Sequence, residues 1–195
     1  MYIKVKVIHF LETVTTMSDT DGEFLAAVRD GDLDTVRSLV EQGADVTAWY
    51  NSPIIIAARR GHFHVVRCLV DNGADVTARD NDVIVCAAAH GHLHVVQCLA
   101  ENGADVTAQN NEAILVAIQN GHLGVVRLLA EKGADVTVRD NEAIVWLSVP
   151  GHLDMMRLLV EKGADVTARN NKPIMKAAEF GHLHVVKYLA EKGAD

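Results

Sequence analysis

The feature that most constrains this chain is its period. Glycines stand at 31, 61, 91, 121, 151 and 181, and Gly-Ala-Asp begins at 43, 73, 103, 133, 163 and 193. Both series step by 30 residues. A fixed period of this size marks a stack of small units, each too small to bury its own apolar face and each completed by its neighbours.

Residues 51–80 show one unit. Asn51 is placed to cap a first helix, and Pro53 suits its first turn. Gly61 stops that helix. A second begins at His62 and carries Phe63, Val66, Leu69 and Val70 on one stripe. Gly73 falls where a left-handed C-terminal cap is wanted. "ADVTARDN" follows as an exposed connection. The pattern predicts an all-α solenoid of stacked helix-turn-helix repeats with short connecting loops.

"GHLHVVQCLAENGADVTA", from Gly91, resembles the second half of an ankyrin repeat, and "SPIIIAARRGH", residues 52–62, occupies the place of that family's "TPLHxAA..GH". The resemblance covers roughly residues 20–195. It implies about six units, at 18–47, 48–77, 78–107, 108–137, 138–167 and 168–195. Ankyrin units run about 33 residues. Here the missing residues fall between "ADVTA" and "NEAI", which implies shortened fingers, tight turns with little strand. The family's histidine is replaced by Ile55, Val85, Leu115, Val145 and Met175, apolar packing in place of a buried hydrogen bond. Short units of this kind are similar to the ankyrin arrays of large DNA viruses of amoebae. The asparagine hydroxylated in some family members is here Thr47, Thr77, Thr107, Thr137 and Thr167, so that modification is not expected.

Residues 1–17 lie outside the register, either a degenerate preceding helix or a frayed segment, and Met17 is an alternative start. Asp30, Asp32 and Asp34 give the first unit the look of a polar cap. The last unit keeps the consensus apolar pattern, as expected of a piece of a longer array or of a short one with an exposed end. End-to-end association through that uncapped repeat is the expected exception to a monomer.

Net charge is −8 with histidine neutral. It argues against phosphate-backbone binding, which needs clustered Lys and Arg, and against docking on an anionic membrane. No apolar run reaches the ~20 residues of a membrane span. Cys68, Cys86 and Cys98 are too few and too scattered for a disulfide framework and read as free thiols in a reducing compartment. A cytoplasmic location follows, the host cytoplasm for a viral or pathogen protein.

Two candidate sites are set aside. His62, His92, His122, His152 and His182 form a ladder that stacked imidazoles could offer to Zn²⁺ or Cu²⁺. The equivalent residue of the first unit is Asp32, a favoured helix cap, so a capping or stacking role fits the whole column. A second column reads Asp34, His64, His94, Gly124, Asp154 and His184, and a column that accepts glycine is not a ligand shell. No metal or cofactor is expected, although a His-rich metal-binding protein is the rival reading. The Asp of each Gly-Ala-Asp reads as scaffold, and no catalytic constellation stands out. Arg37, Arg67, Arg127, Arg157 and Lys187 each precede an acid by four residues, which predicts weak pairs on a solvated face.

Function is expected where units differ. The two most variable sets are the loop tips (Trp49-Tyr50, Arg79-Asp80, Gln109-Asn110, Arg139-Asp140, Arg169-Asn170) and the first-helix ends (Arg59-Arg60, Ala89-His90, Gln119-Asn120, Val149-Pro150, Glu179-Phe180). The ankyrin resemblance places both on a concave, partner-binding surface, together with Trp146. Trp49, Tyr50, Arg59 and Arg60 are expected to cluster at one end, and Trp, Tyr and Arg are the residue types that dominate interfaces. The expected function is a non-catalytic protein-binding module, with no nucleic-acid partner. An alternative is the recognition part of a longer adaptor, such as a ubiquitin-ligase recruiter.

Overall fold

A computed structural model describes residues 19–149 and 152–195. The expectations for residues 1–17 and for Pro150 lie outside these. Among the described residues there are twelve helices and no strands. They alternate between long first helices, α1 Asp19–Asp30, α3 Ala48–Arg60, α5 Ala78–Ala89, α7 Ala108–Gln119, α9 Val138–Leu147 and α11 Ala168–Glu179, and nine-residue second helices. The second helices are α2 Leu33–Glu41, α4 Phe63–Asp71, α6 Leu93–Glu101, α8 Leu123–Glu131, α10 Leu153–Glu161 and α12 Leu183–Glu191. First helices pack side by side in one layer and second helices in another.

One register position shows why the stack coheres. Phe24, Ile54, Ile84, Ile114 and Ile144 repeat at 30-residue steps and are essentially fully buried. Ala57, Ala87, Ala117 and Ala177 recur where the helices must approach closely. On the second helices Val66, Val96, Val126 and Met156 close the core from the other side.

Each second helix ends as its glycine predicts. Gly73 has φ +92°, its N–H donates to Val70 O, and Ala74 N–H reaches back to Leu69 O. These bonds satisfy carbonyls that the helix end would otherwise strand.

The connection between units is the unexpected element. Trp49, Tyr50 and Asn51 all have left-handed backbone, with φ of 51°, 59° and 59°. So do residues 79–81, 109–111, 139–141 and 169–171. Each non-glycine residue held this way costs about 1–2 kcal/mol. Hydrogen bonds hold the turn. Asn51 N–H donates to Thr47 O at 2.9 Å, and Asp75 N–H, near the far end of the same unit, donates to Asn51 Oδ1 at 2.9 Å. Asn81, Asn111 and Asn141 repeat both bonds. Asn51 therefore ties the turn that opens its unit to the loop that closes it. The right-handed part of α3 begins only after it, with Pro53 in the first turn. This left-handed turn is how the short unit joins its helices without a β-finger.

The fifth unit departs from the pattern. Its first helix, α9, ends at Leu147, two residues sooner than α5 or α7 in register. Leu147 replaces the close-contact alanine, and the buried Ser148 stands where Ala58, Ala88 and Ile118 are apolar. Ser148 Oγ donates to Ile144 O at 2.9 Å. Pro150 has no N–H to extend the helix and disfavours helical backbone at the residue before it.

Candidate functional site

The histidine ladder is structural. His62 Nε2 lies 3.0 Å from Arg29 O, His92 Nε2 2.9 Å from Arg59 O, His122 Nε2 3.2 Å from Ala89 O and His182 Nε2 2.6 Å from Val149 O. Each imidazole caps the end of the first helix of the preceding unit. The residue opens its own second helix but makes no side-chain cap bond there, so the capping role expected of it is exercised across units. Asp32, with no described unit before it, does cap its own helix: Thr35 N–H and Oγ1 both donate to its carboxylate. Those bonds hold its carboxyl below the usual range. Among the described residues no group of three or more His, Cys, Asp or Glu side chains is arranged to hold a metal ion.

The Gly-Ala-Asp carboxylates are scaffold too. Asp105 Oδ1 accepts from Thr107 N–H at 2.8 Å and from its hydroxyl at 2.7 Å, which lowers the Asp105 pKa. Asp45, Asp75, Asp135 and Asp165 make the same pair of bonds. The three cysteines are free thiols, and burial pushes Cys68 and Cys98 up in pKa. The expected pairs of second-helix cations with acids four residues on do not form. Among the described residues the ion pairs are Arg29–Asp30, Arg139–Glu112, Arg169–Asp140 and Lys176–Glu179.

The loop-tip residues are engaged with the preceding unit. The Arg79 guanidinium donates to Trp49 O, Tyr50 O and Ser52 Oγ. Gln109 donates to Asp80 O and Asp82, Arg139 to Glu112, and Arg169 to the carbonyls of Arg139 and Asp140. Their variation changes which atoms meet and preserves the contact. Trp49 is half-buried and Tyr50 is 66% exposed. They sit at the start of α3, whereas Arg59 and Arg60 sit at its end. The right-handed part of α3 lies between the two pairs, which stand at its opposite ends.

At the first-helix ends, His90 Nδ1 bonds Cys86 O and the Asn120 amide donates to Val116 O, each capping its own helix. Gln119 is exposed, and Phe180, 50% exposed, lies 5.8 Å from the Lys176 ammonium. Arg59 and Arg60 are exposed and form no ion pair among the described residues.

One variable half-buried position was missed by reading tips and ends alone. Ala26, Ile56, Cys86, Val116, Trp146 and Lys176 occupy one register position, three residues before the helix-end set. All six are half-buried on the outward side of the first-helix layer, and no two are alike. Comparing every column at the 30-residue period, rather than the polar pairs alone, finds it. No helix of the described residues is long and apolar enough to cross a membrane.

Known families match this geometry. A family model described as ankyrin repeats (3 copies) matches residues 24–110 and 79–140, and one described as ankyrin repeats (many copies) matches residues 144–190. No curated protein matches the chain. The two models together span most of the sequence, and the chain belongs to the ankyrin repeat family.

Proposed function

We propose that the chain is a non-catalytic module that binds a partner protein on the outward side of its first-helix layer, the side that is concave in ankyrin arrays. Ankyrin repeats indicate a protein–protein interaction module. The observation that carries the finer reading is the column Ala26, Ile56, Cys86, Val116, Trp146 and Lys176. Core positions such as Ile54, Ile84, Ile114 and Ile144 and the bridging histidines are committed to packing or to bonds between units. This one is half-exposed and differs in each unit, which is where a partner can be chosen without disturbing the stack. A stack whose successive units are bridged by histidines or loop-tip donors is also pre-organised, so little conformational entropy is lost on association. Tyr50, with Trp49 behind it, and Phe180 flank this column as further contact area.

Affinity capture with the intact chain, followed by mass spectrometry, tests the reading against a variant carrying Ile56→Glu and Trp146→Glu. A partner retained by the native chain and lost with the variant supports it. A partner retained equally by both places binding elsewhere. Capture from a cytoplasmic extract of the host cell is the relevant setting if the chain acts there.

A further inference from the structure

The N-terminal end of the first-helix layer has a character that the rest lacks. A cleft of about 320 Å³ opens between α1 and α3, floored by Leu25, Ala26 and Ile56. Arg29, Arg59 and Arg60 rim it. Arg29 is held by Asp30, Nε to Oδ1 at 2.9 Å. Arg59 reaches only the Cys86 sulfur, at 4.0 Å, and Arg60 acts on Asp30 electrostatically without forming an ion pair. Three guanidiniums therefore face one carboxylate, in a chain whose net charge is −8.

Two neighbouring columns sharpen the contrast. The position of Arg29 and Arg59 becomes Ala89, Gln119, Val149 and Glu179 further along, so the face runs from basic to acidic. The position of Gly22, at the mouth of the cleft, becomes Ser52, Asp82, Glu112 and Glu142. In this column the acids stand in the third to fifth units, with Lys172 in the sixth, while Asp21 and Glu23 flank Gly22 on α1. A side chain added at Gly22 would meet open space, so glycine there leaves the cleft unobstructed.

We propose that this cleft receives an acidic peptide segment of a partner protein, with a carboxylate between Arg59 and Arg60 and an apolar side chain over Ile56. The inference rests on the protein-binding reading above and names its partner's chemistry. Guanidinium forks match carboxylates in geometry and charge. The apolar floor supplies what a nucleic-acid backbone cannot use, and the acidic columns beyond the second unit oppose an extended polyanion. From the cleft, Cys86, Val116 and Trp146 continue the apolar line, so the segment is acidic at one end and apolar beyond it.

The test pans a random twelve-residue peptide library displayed on phage against the full chain. The most enriched peptide, labelled with fluorescein, is then titrated by anisotropy. Enriched peptides should carry Asp or Glu beside apolar residues. Affinity should fall at least tenfold with Arg59→Glu/Arg60→Glu and with Gly22→Gln. The second variant fills the cleft while improving helix propensity, so its melting temperature should not drop. Enrichment without acidic residues, no enrichment, or unchanged affinity in both variants overturns the cleft. Displacement of the peptide by a twelve-nucleotide single-stranded RNA also overturns it, in favour of a nucleic-acid ligand. A peptide that loses affinity with Trp146→Ala but not with Arg59→Glu/Arg60→Glu removes the cleft and leaves the protein-binding reading standing.

Discussion

The imidazole of His92 lies across Gly61, its Nε2 2.9 Å from Arg59 O and its Nδ1 2.5 Å from where a Cβ on that glycine would be. Gly61 is thus required twice, for its φ of +75° and for the room it gives the ring of the next unit. Gly121 has the same φ, +76°, but nothing stands over it, because His152 makes no matching bond. Gly121→Ala should cost about 1–2 kcal/mol for the left-handed backbone. Gly61→Ala should cost about 1 kcal/mol more, the worth of the displaced hydrogen bond. Urea denaturation of the two variants gives the comparison, and equal losses would remove the second role of Gly61.

Asn111 is buried, left-handed at φ 61°, and accepts Asp135 N–H from the far end of its own unit at 2.8 Å. Asn111→Ala should destabilise by about 2–4 kcal/mol, from the αL cost together with a stranded N–H. Asn111→Gly keeps the backbone freedom and loses the clamp, so it should fall between the two proteins. Denaturant midpoints that rank glycine below alanine would contradict this division.

These two contacts mark where the sequence was legible. Helix pairs, unit length and the core column of Ile54, Ile84, Ile114 and Ile144 follow from periodicity, because apolar spacing is the direct imprint of burial. The absence of β-fingers follows from the three missing residues. The left-handed turn does not. "WYN", "RDN" and "QNN" contain no glycine, and only asparagine and aspartate tolerate that backbone well. The bonds that hold the turn come from residues about a unit away, as with Arg79 on Trp49 O. The partner of the capping histidines was not visible for the same reason, since a column seen one unit at a time shows the cap position and not the carbonyl 33 residues earlier.

Asp105 gives a pH dependence with a definite sign. Its pKa is lowered in the folded chain by the Thr107 hydroxyl and N–H. A depressed carboxylate contributes stability fully above its unfolded value of about 3.9, and that contribution is lost as pH falls through the folded value. The stability difference between the native chain and Asp105→Ala should therefore be largest near neutrality and shrink in acid below the ordinary carboxylate range. A difference that grew on acidification would reverse the assignment.

The fifth unit should be improvable. Ser148→Ala with Pro150→Asn restores the residues used in the second and fourth units and gives the helix end its N–H back. Stability should rise by about 1–2 kcal/mol, in the range of propensity and backbone repairs. In the native background His152→Ala should lie within about 0.5 kcal/mol of neutral, as for an exposed side chain without a special contact. His92→Ala should cost about 1 kcal/mol through its lost bond. Thermal melts of the three proteins decide the matter, and a His152→Ala loss equal to that of His92→Ala would show the fifth junction to be as tight as the others.

The final prediction separates two tryptophans. Trp146 is half-buried at the variable column of α9, while Trp49 is half-buried in a left-handed turn whose carbonyl accepts Arg79. For a partner on the first-helix layer, Trp146→Ala should weaken binding by about 2 kcal/mol or more, as loss of a central aromatic does. Trp49 lies in the left-handed turn before the right-handed part of α3, at the other end from Arg59 and Arg60, so Trp49→Ala should weaken it less. Ile114→Ala, which empties a fully buried position with neighbours on both sides, should destabilise by about 2–5 kcal/mol. Binding isotherms and melts on all three variants distinguish contact from core. If Trp49→Ala abolishes binding and Trp146→Ala leaves it intact, the partner sits along the left-handed turns and not on the helix face.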